Sequence, residues 1–184
     1  MASGTSNKLT GQVGEHLVSA VLGTLGYYAS PYSGNVPGFD VTAVHSESLK
    51  SFPVQVKAST KGALVQSTID KWCNHSIDEN NRQTLGELTP LKHPDLIWIL
   101  VRLSDSGVSG ARFFICTERD IQKKIVDRYV AFMEKHGYRP LEAELHRKRY
   151  SISKTLLSLK INGKFFWVIN NGRYKKLHKI SRVS

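Results

Sequence analysis

The chain is poor in cysteine: Cys73 and Cys116 are its two thiols, and neither has a CxxC partner or a Cys/His neighbour at zinc-ligand spacing. That excludes a disulfide framework and a zinc finger, and both thiols are expected to be reduced. Trp72-Cys73-Asn74-His75 has no second cluster to complete a tetrahedral site, and His45, His93, His136, His146 and His178 are scattered along the chain. Long apolar runs are also missing. The longest, residues 96–101 (LIWILV), falls far short of the roughly 20 residues a helix needs to cross a bilayer, so no membrane partner is expected. The opening MASGTSNK is small and polar, without the basic-then-apolar order of a secretory signal, which makes the expected compartment cytoplasmic. Neither GxxxxGK[ST] nor GxGxxG occurs, so nucleotide-driven chemistry has no motif behind it.

Acid is absent from the C-terminal end. Residues 145–184 hold 11 of the 26 Lys and Arg side chains and none of the 15 Asp and Glu, so the whole formal charge of +11 arises there. With 184 residues, 40% of them apolar, the chain can bury one sizeable core. The expected organisation is a core over residues 1–144 and a basic extension over 145–184. In that extension Arg147, Lys148, Arg149, Lys154, Lys160, Lys164, Arg173, Lys175, Lys176, Lys179 and Arg182 are interleaved with Tyr150, Phe165, Phe166, Trp167 and Tyr174. Such interleaving suits phosphate neutralisation beside base-stacking surfaces, and nucleic acid is the natural partner. The structural alternative is that Phe165 and Trp167 simply pack the extension onto the core.

Periodicity supplies a coarse order of elements. Leu9, Val13, Leu17, Val21 and Leu25 recur every four residues and predict an amphipathic helix stopped by Gly26. Residues 27–32, 39–44 and 53–58 read as three successive strands. Residues 59–94 show no clear period beyond a short helix expected around 65–73. Residues 95–103 and 111–117 are apolar and read as interior strands, and 118–136 has Ile121, Ile125, Tyr129 and Phe132 at helical spacing ahead of Gly137. Beyond it, strand-like 152–161 and 164–169 flank Asn162-Gly163, a dipeptide that favours a two-residue hairpin turn. The fold class is therefore α/β, with a mixed central sheet flanked by helices and a basic C-terminal β-hairpin.

The third strand carries the chemistry. Alternation sends Val54 and Val56 to one face and Gln55 and Lys57 to the other. Antiparallel pairing with Val44 opposite Pro53 would set Asp40 opposite Lys57 and Thr42 opposite Gln55, gathering a carboxylate, an amide and an ammonium. A slip of one residue would turn Asp40 to the opposite face.

Glu15 in GQVGEHL, Gly38-Phe39-Asp40 and Gln55-Val56-Lys57, in this order on helix and strands, resemble the PD-(D/E)XK nuclease superfamily, the restriction-endonuclease-like fold. The spacing and the GxxGE helix look most like its Holliday junction resolvase-like and restriction-enzyme-like members. The resemblance spans about residues 9–136. It implies a metal-dependent endonuclease acting on duplex or branched DNA, as a homodimer, with Asp40 as the main ligand of Mg²⁺ or Mn²⁺. Val56 would add its carbonyl, Gln55 its amide oxygen and Glu15 its carboxylate, while Lys57 would stand beside the attacking water. Gln55 departs from the family's usual acid, which lowers the charge available to a cation. The same resemblance leaves open an RNA-directed nuclease, or a non-catalytic nucleic-acid-binding protein that keeps the fold. Each residue also has a structural reading: Asp40 closing a turn after Pro37-Gly38, Lys57 solvated on a strand face, Glu15 an ordinary surface acid.

Overall fold

Secondary structure follows the hydrophobic pattern in most of the chain. The computed structural model describes residues 4–32, 38–105, 107–138, 150–151, 159–161 and 164–168. The order begins α1 (Gly4–Thr24), β1 (Tyr27–Pro31), β2 (Val41–His45), β3 (Ser51–Ser59) and β4 (Gln66–Ser67). After a 3-10 turn (Ile69–Lys71) come β5 (Cys73–Ile77), β6 (Gln83–Leu88), β7 (Ile97–Ser104), β8 (Gly107–Thr117) and α2 (Glu118–Lys135). Three short strands follow: β9 (Tyr150–Ser151), β10 (Leu159–Ile161) and β11 (Lys164–Val168). Among the described residues no helix is long and apolar enough to cross a membrane. The predicted turn at Asn162-Gly163 lies outside the described residues, as do residues 33–37.

The chain forms two units, one built from residues 1–61, 97–116 and 155–184, the other from 62–96 and 117–154. The first is α/β, with a mixed sheet in the strand order β1-β2-β3-β7-β8-β11-β10. β1, β2 and β3 form an antiparallel meander, and β3 then runs parallel to β7. A parallel neighbour requires a long crossover, and residues 60–96 supply it. α1 covers the face of the sheet that carries Val41, Ala43, Val54, Val56, Ile99, Val101 and Phe113, and it contributes Val18, Val21 and Leu22 to that core.

The buried stripe of α1 differs from the expected one. Leu9 and Val13 are exposed, whereas Gly14, Val18, Val21 and Leu22 are buried. The helix turns this face inward because Gly14 allows contact closer than any side chain would. A Cβ on Gly14 would collide with the Cβ of Ala58 on β3. The predicted stop holds: Gly26 has φ +87°, a conformation that glycine adopts without steric cost.

In the second unit the crossover is a β-hairpin packed on α2. The helix expected around 65–73 is replaced by the two-residue β4, the 3-10 turn and the start of β5. Ile69, Trp72 and Cys73 are buried, as are Ile121, Ile125, Tyr129 and Met133 of α2. Polar anchors fix the docking. The Gln122 amide donates to the carbonyls of Trp72 (2.9 Å) and Thr89 (2.7 Å), and the Tyr129 hydroxyl donates to Gln83 Oε1 at 2.5 Å. α2 starts in a reciprocal capping box: Thr117 Oγ1 accepts from the Asp120 N–H, and Asp120 Oδ2 accepts from the Thr117 N–H.

Candidate functional site

β3 presents its polar side chains as alternation requires. Val54 and Val56 are buried, Gln55 is half-buried and Lys57 is exposed. Its register against β2 is two residues away from the expected one: Val44 faces Ser51, Thr42 faces Pro53 and Val41 faces Val54. The reason lies in the connection. His45 N–H donates to the Lys50 carbonyl and Leu49 N–H to the His45 carbonyl, so the turn closes early and β3 begins at Ser51, ahead of Pro53. A shift of two preserves facing parity. Asp40 therefore stays on the Gln55 face but meets Gln55, not Lys57.

Asp40 precedes the first residue of β2 and is held through both its backbone and its side chain. Its N–H donates to the Val54 carbonyl (2.9 Å), and its own carbonyl accepts from Tyr32 N–H (3.0 Å). Its carboxylate Oδ2 accepts from the Val56 N–H at 2.7 Å and from the Gln55 amide Nε2. Gly38, at φ +99°, gives the approach a turn that other residues resist. Phe39 packs edge-on against Tyr32 at 5.3 Å between ring centroids, and Tyr32 Oη accepts a hydrogen bond from Thr42 Oγ1. Hydrophobic patterning does not single out Tyr32, and its one signal in the sequence is an aromatic placed just after the short strand β1.

Glu15 follows Gly14 on α1, which presses onto β3 from the face that carries Val54 and Val56. Burial pushes the Glu15 carboxyl above its usual range, the charge of Asp40 pushes it further, and Lys57 and His16 pull against both. Glu15, Asp40 and Lys57 thus sense one another, whereas Gln55 and Val56 touch Asp40 directly. Among the described residues no group of three or more His, Cys, Asp or Glu side chains stands close enough to hold a metal ion. The acids here are two, and the remaining donors are an amide and a backbone carbonyl.

An all-oxygen set with one or two carboxylates is the pattern in which Mg²⁺, which keeps several waters, is bound. Asp40 Oδ1 accepts no hydrogen bond among the described residues, and the repulsion between Glu15 and Asp40 is what a cation would relieve. Gln55 now offers its N–H side to Asp40; a half-turn of the amide exchanges it for Oε1. The donors present fit a hard cation.

Of the basic residues expected to contact nucleic acid, Lys160 lies on β10 and Lys164 on β11. Arg147, Lys148, Arg149, Lys154, Arg173, Lys175 and Lys176 lie outside the described residues. Comparison with family models, with curated proteins and with solved structures gave no match.

Proposed function

We propose that this protein is a metal-dependent endonuclease with a restriction-endonuclease-like core, hydrolysing DNA phosphodiester bonds at Asp40, Gln55, Lys57 and Glu15. The observation that carries this is the fixing of the Asp40 carboxylate by the backbone and side chain of the Gln55-Val56-Lys57 strand, with Lys57 left exposed on the same face. A carboxylate serving only as a turn closer would bond to its own loop; this one is bound across strands, 15 and 16 residues away in sequence.

Asp40 Oδ1, the Val56 carbonyl, Gln55 Oε1 and Glu15 are the atoms and groups that would hold Mg²⁺ or Mn²⁺. When bound, the ion supplies Lewis-acid polarisation of a phosphoryl oxygen and a more acidic water. Lys57 brings an ammonium with three donors to the phosphate, where it stabilises the charge gathering on the non-bridging oxygens as the water attacks. Before an ion binds, the Gln55 amide holds Asp40 by donating to it, without the charge repulsion that a carboxylate at this position would introduce. The basic C-terminal β-hairpin supplies the attraction for the DNA backbone. A homodimer and a cytoplasmic location belong to the same proposal.

The test is cleavage of labelled duplex, four-way junction, single-stranded DNA and RNA with and without Mg²⁺. Cleavage should require the ion, and Asp40→Ala and Lys57→Ala should each lower it by about 10²–10⁴-fold, the range for loss of one catalytic group. Full activity in both variants would remove Asp40 and Lys57 from the chemistry. A second reading, a DNA-binding protein without catalysis, is favoured by one observation, the neutral Gln55 in a site with just two acids. It predicts binding to the same substrates with no cleavage in any metal.

A further inference from the structure

The face that carries Gln55 and Lys57 continues beyond them. Parallel pairing of β3 with β7 sets Gln55 beside Trp98, Lys57 beside Leu100 and Ser59 beside Arg102. Neighbours across a ladder point to one side of the sheet. On β8, Phe113 belongs to the core beneath α1, with Ala111 and Ile115 packed against it. Alternation therefore directs Arg112 to the opposite side, that of Lys57 and Arg102. On this side Trp98, Leu100, Phe114 and Cys116 are buried, whereas Lys57 and Arg112 are exposed and Arg102 is half-buried.

Arg102 is positioned as well as present. Its Nη1 donates to Ser59 Oγ at 3.2 Å, and that hydroxyl in turn donates to the Lys61 carbonyl. The guanidinium is thus anchored on the rung after Lys57. Burial, and next the like charge of Arg112, pull the Arg102 guanidinium below its ordinary value, so the two arginines lie near enough to repel. An anion between them would turn that repulsion into attraction, and a guanidinium fork matches phosphate geometry.

Two residues along a strand advance about 6.6 Å, of the order of the step between consecutive phosphates on one nucleic-acid strand. The side of the sheet therefore passes from carboxylate (Asp40) to ammonium (Lys57) to paired guanidinium groups (Arg102, Arg112). We propose that Arg102 and Arg112, with Ser59 as the positioning residue, form a second phosphate subsite that holds the DNA backbone phosphate next to the scissile one. It rests on the nuclease reading for the identity of its ligand, but its binding needs no metal.

The experiment is fluorescence anisotropy with a labelled DNA duplex in the absence of divalent ions, over a series of salt concentrations. Arg112 is exposed, so Arg112→Gln leaves the core intact. It should weaken binding about tenfold and make the plot of log K against log salt shallower by about 0.9, the value for one neutralised phosphate. Ser59→Ala should weaken binding about threefold, by releasing Arg102, an effect smaller than loss of the charge itself. Lys8→Gln removes the same charge from an exposed position of α1 and should change affinity by less than about twofold. An Arg112→Gln effect no larger than that of Lys8→Gln, or a wild-type protein that does not bind DNA, would overturn the subsite. Cleavage with Mg²⁺ is read on the same preparations. Arg112-dependent binding by a protein that never cleaves sinks the catalytic assignment and keeps the subsite. Metal-dependent cleavage with indifferent Arg112 does the reverse.

Discussion

Asp40 and Gln55 show how one side chain alters the meaning of another. An acid at position 55 would crowd Asp40 and Glu15 with a third negative charge; the amide donates to Asp40 Oδ2 and holds it. The cost falls on cation affinity, which rises with ligand charge. Gln55→Glu should therefore lower the Mg²⁺ concentration for half-maximal cleavage by roughly tenfold, measured by metal titration at constant DNA; an unchanged midpoint would place the ion elsewhere. Glu15 supports a second expectation, independent of catalysis. Its carboxyl is raised by burial and by Asp40, so the folded chain holds this proton at pH values where the unfolded chain has released it. Stability from this group is then full in acid and is lost as pH rises through the ordinary carboxylate range to the higher folded value. Glu15→Gln should raise the melting temperature at neutral pH and confer no gain in acid, as checked by thermal melts across that range.

The packing of α1 on β3 turns on a missing side chain. Gly14 is buried against Ala58, with no room for a methyl group unless the backbone moves. Gly14→Ala should destabilise the protein by about 1–3 kcal/mol despite alanine's better helix propensity, since overpacking outweighs the gain of at most about 1 kcal/mol. Denaturant unfolding measures it, and a stabilised variant would show that α1 sits farther from the strand. The hairpin β5–β6 shows why residues 59–94 lack a legible period. Its inward position on β6 is Gln83, while Ile77 and Leu88 are exposed, and a bulge between Cys73 and His75 breaks the register. Alternation of apolar and polar residues is the signal for a strand, and here it is inverted by a buried amide whose Oε1 accepts a hydrogen bond from the Tyr129 hydroxyl. The turn between the two strands has a local cause: Asp78 Oδ1 accepts from the N–H groups of Asn80 and Arg82, and Asn81 adopts φ +57°.

Across the molecule, charge is the property that position in the chain makes most uneven. The excess of +11 belongs to residues 145–184, while β10 and β11, from the same segment, extend the sheet beside β8. Removing the segment would strip strands from a sheet, so its charges are better tested by substitution. Replacing Arg147, Lys148 and Arg149 together with Gln should make the salt dependence of DNA binding shallower by roughly 2 to 3, at about 0.9 for each phosphate no longer neutralised. Binding isotherms at several salt concentrations check this, and an unaltered slope would assign those bases to solvent.

Local rules suffice for whatever depends on neighbours in the chain. The alternation of β3, the stop at Gly26 and the capped helix after Thr117 follow from sterics and periodicity within a few residues. Facing parity at Asp40 is also preserved, because a shift of two leaves the side of a strand unchanged. Register, the inward stripe of α1 and the line from Lys57 to Arg102 and Arg112 depend on contacts between segments far apart in sequence. Those are set by how early a turn closes, how near a glycine lets a helix come and which strands become neighbours, and no short window of residues contains that information.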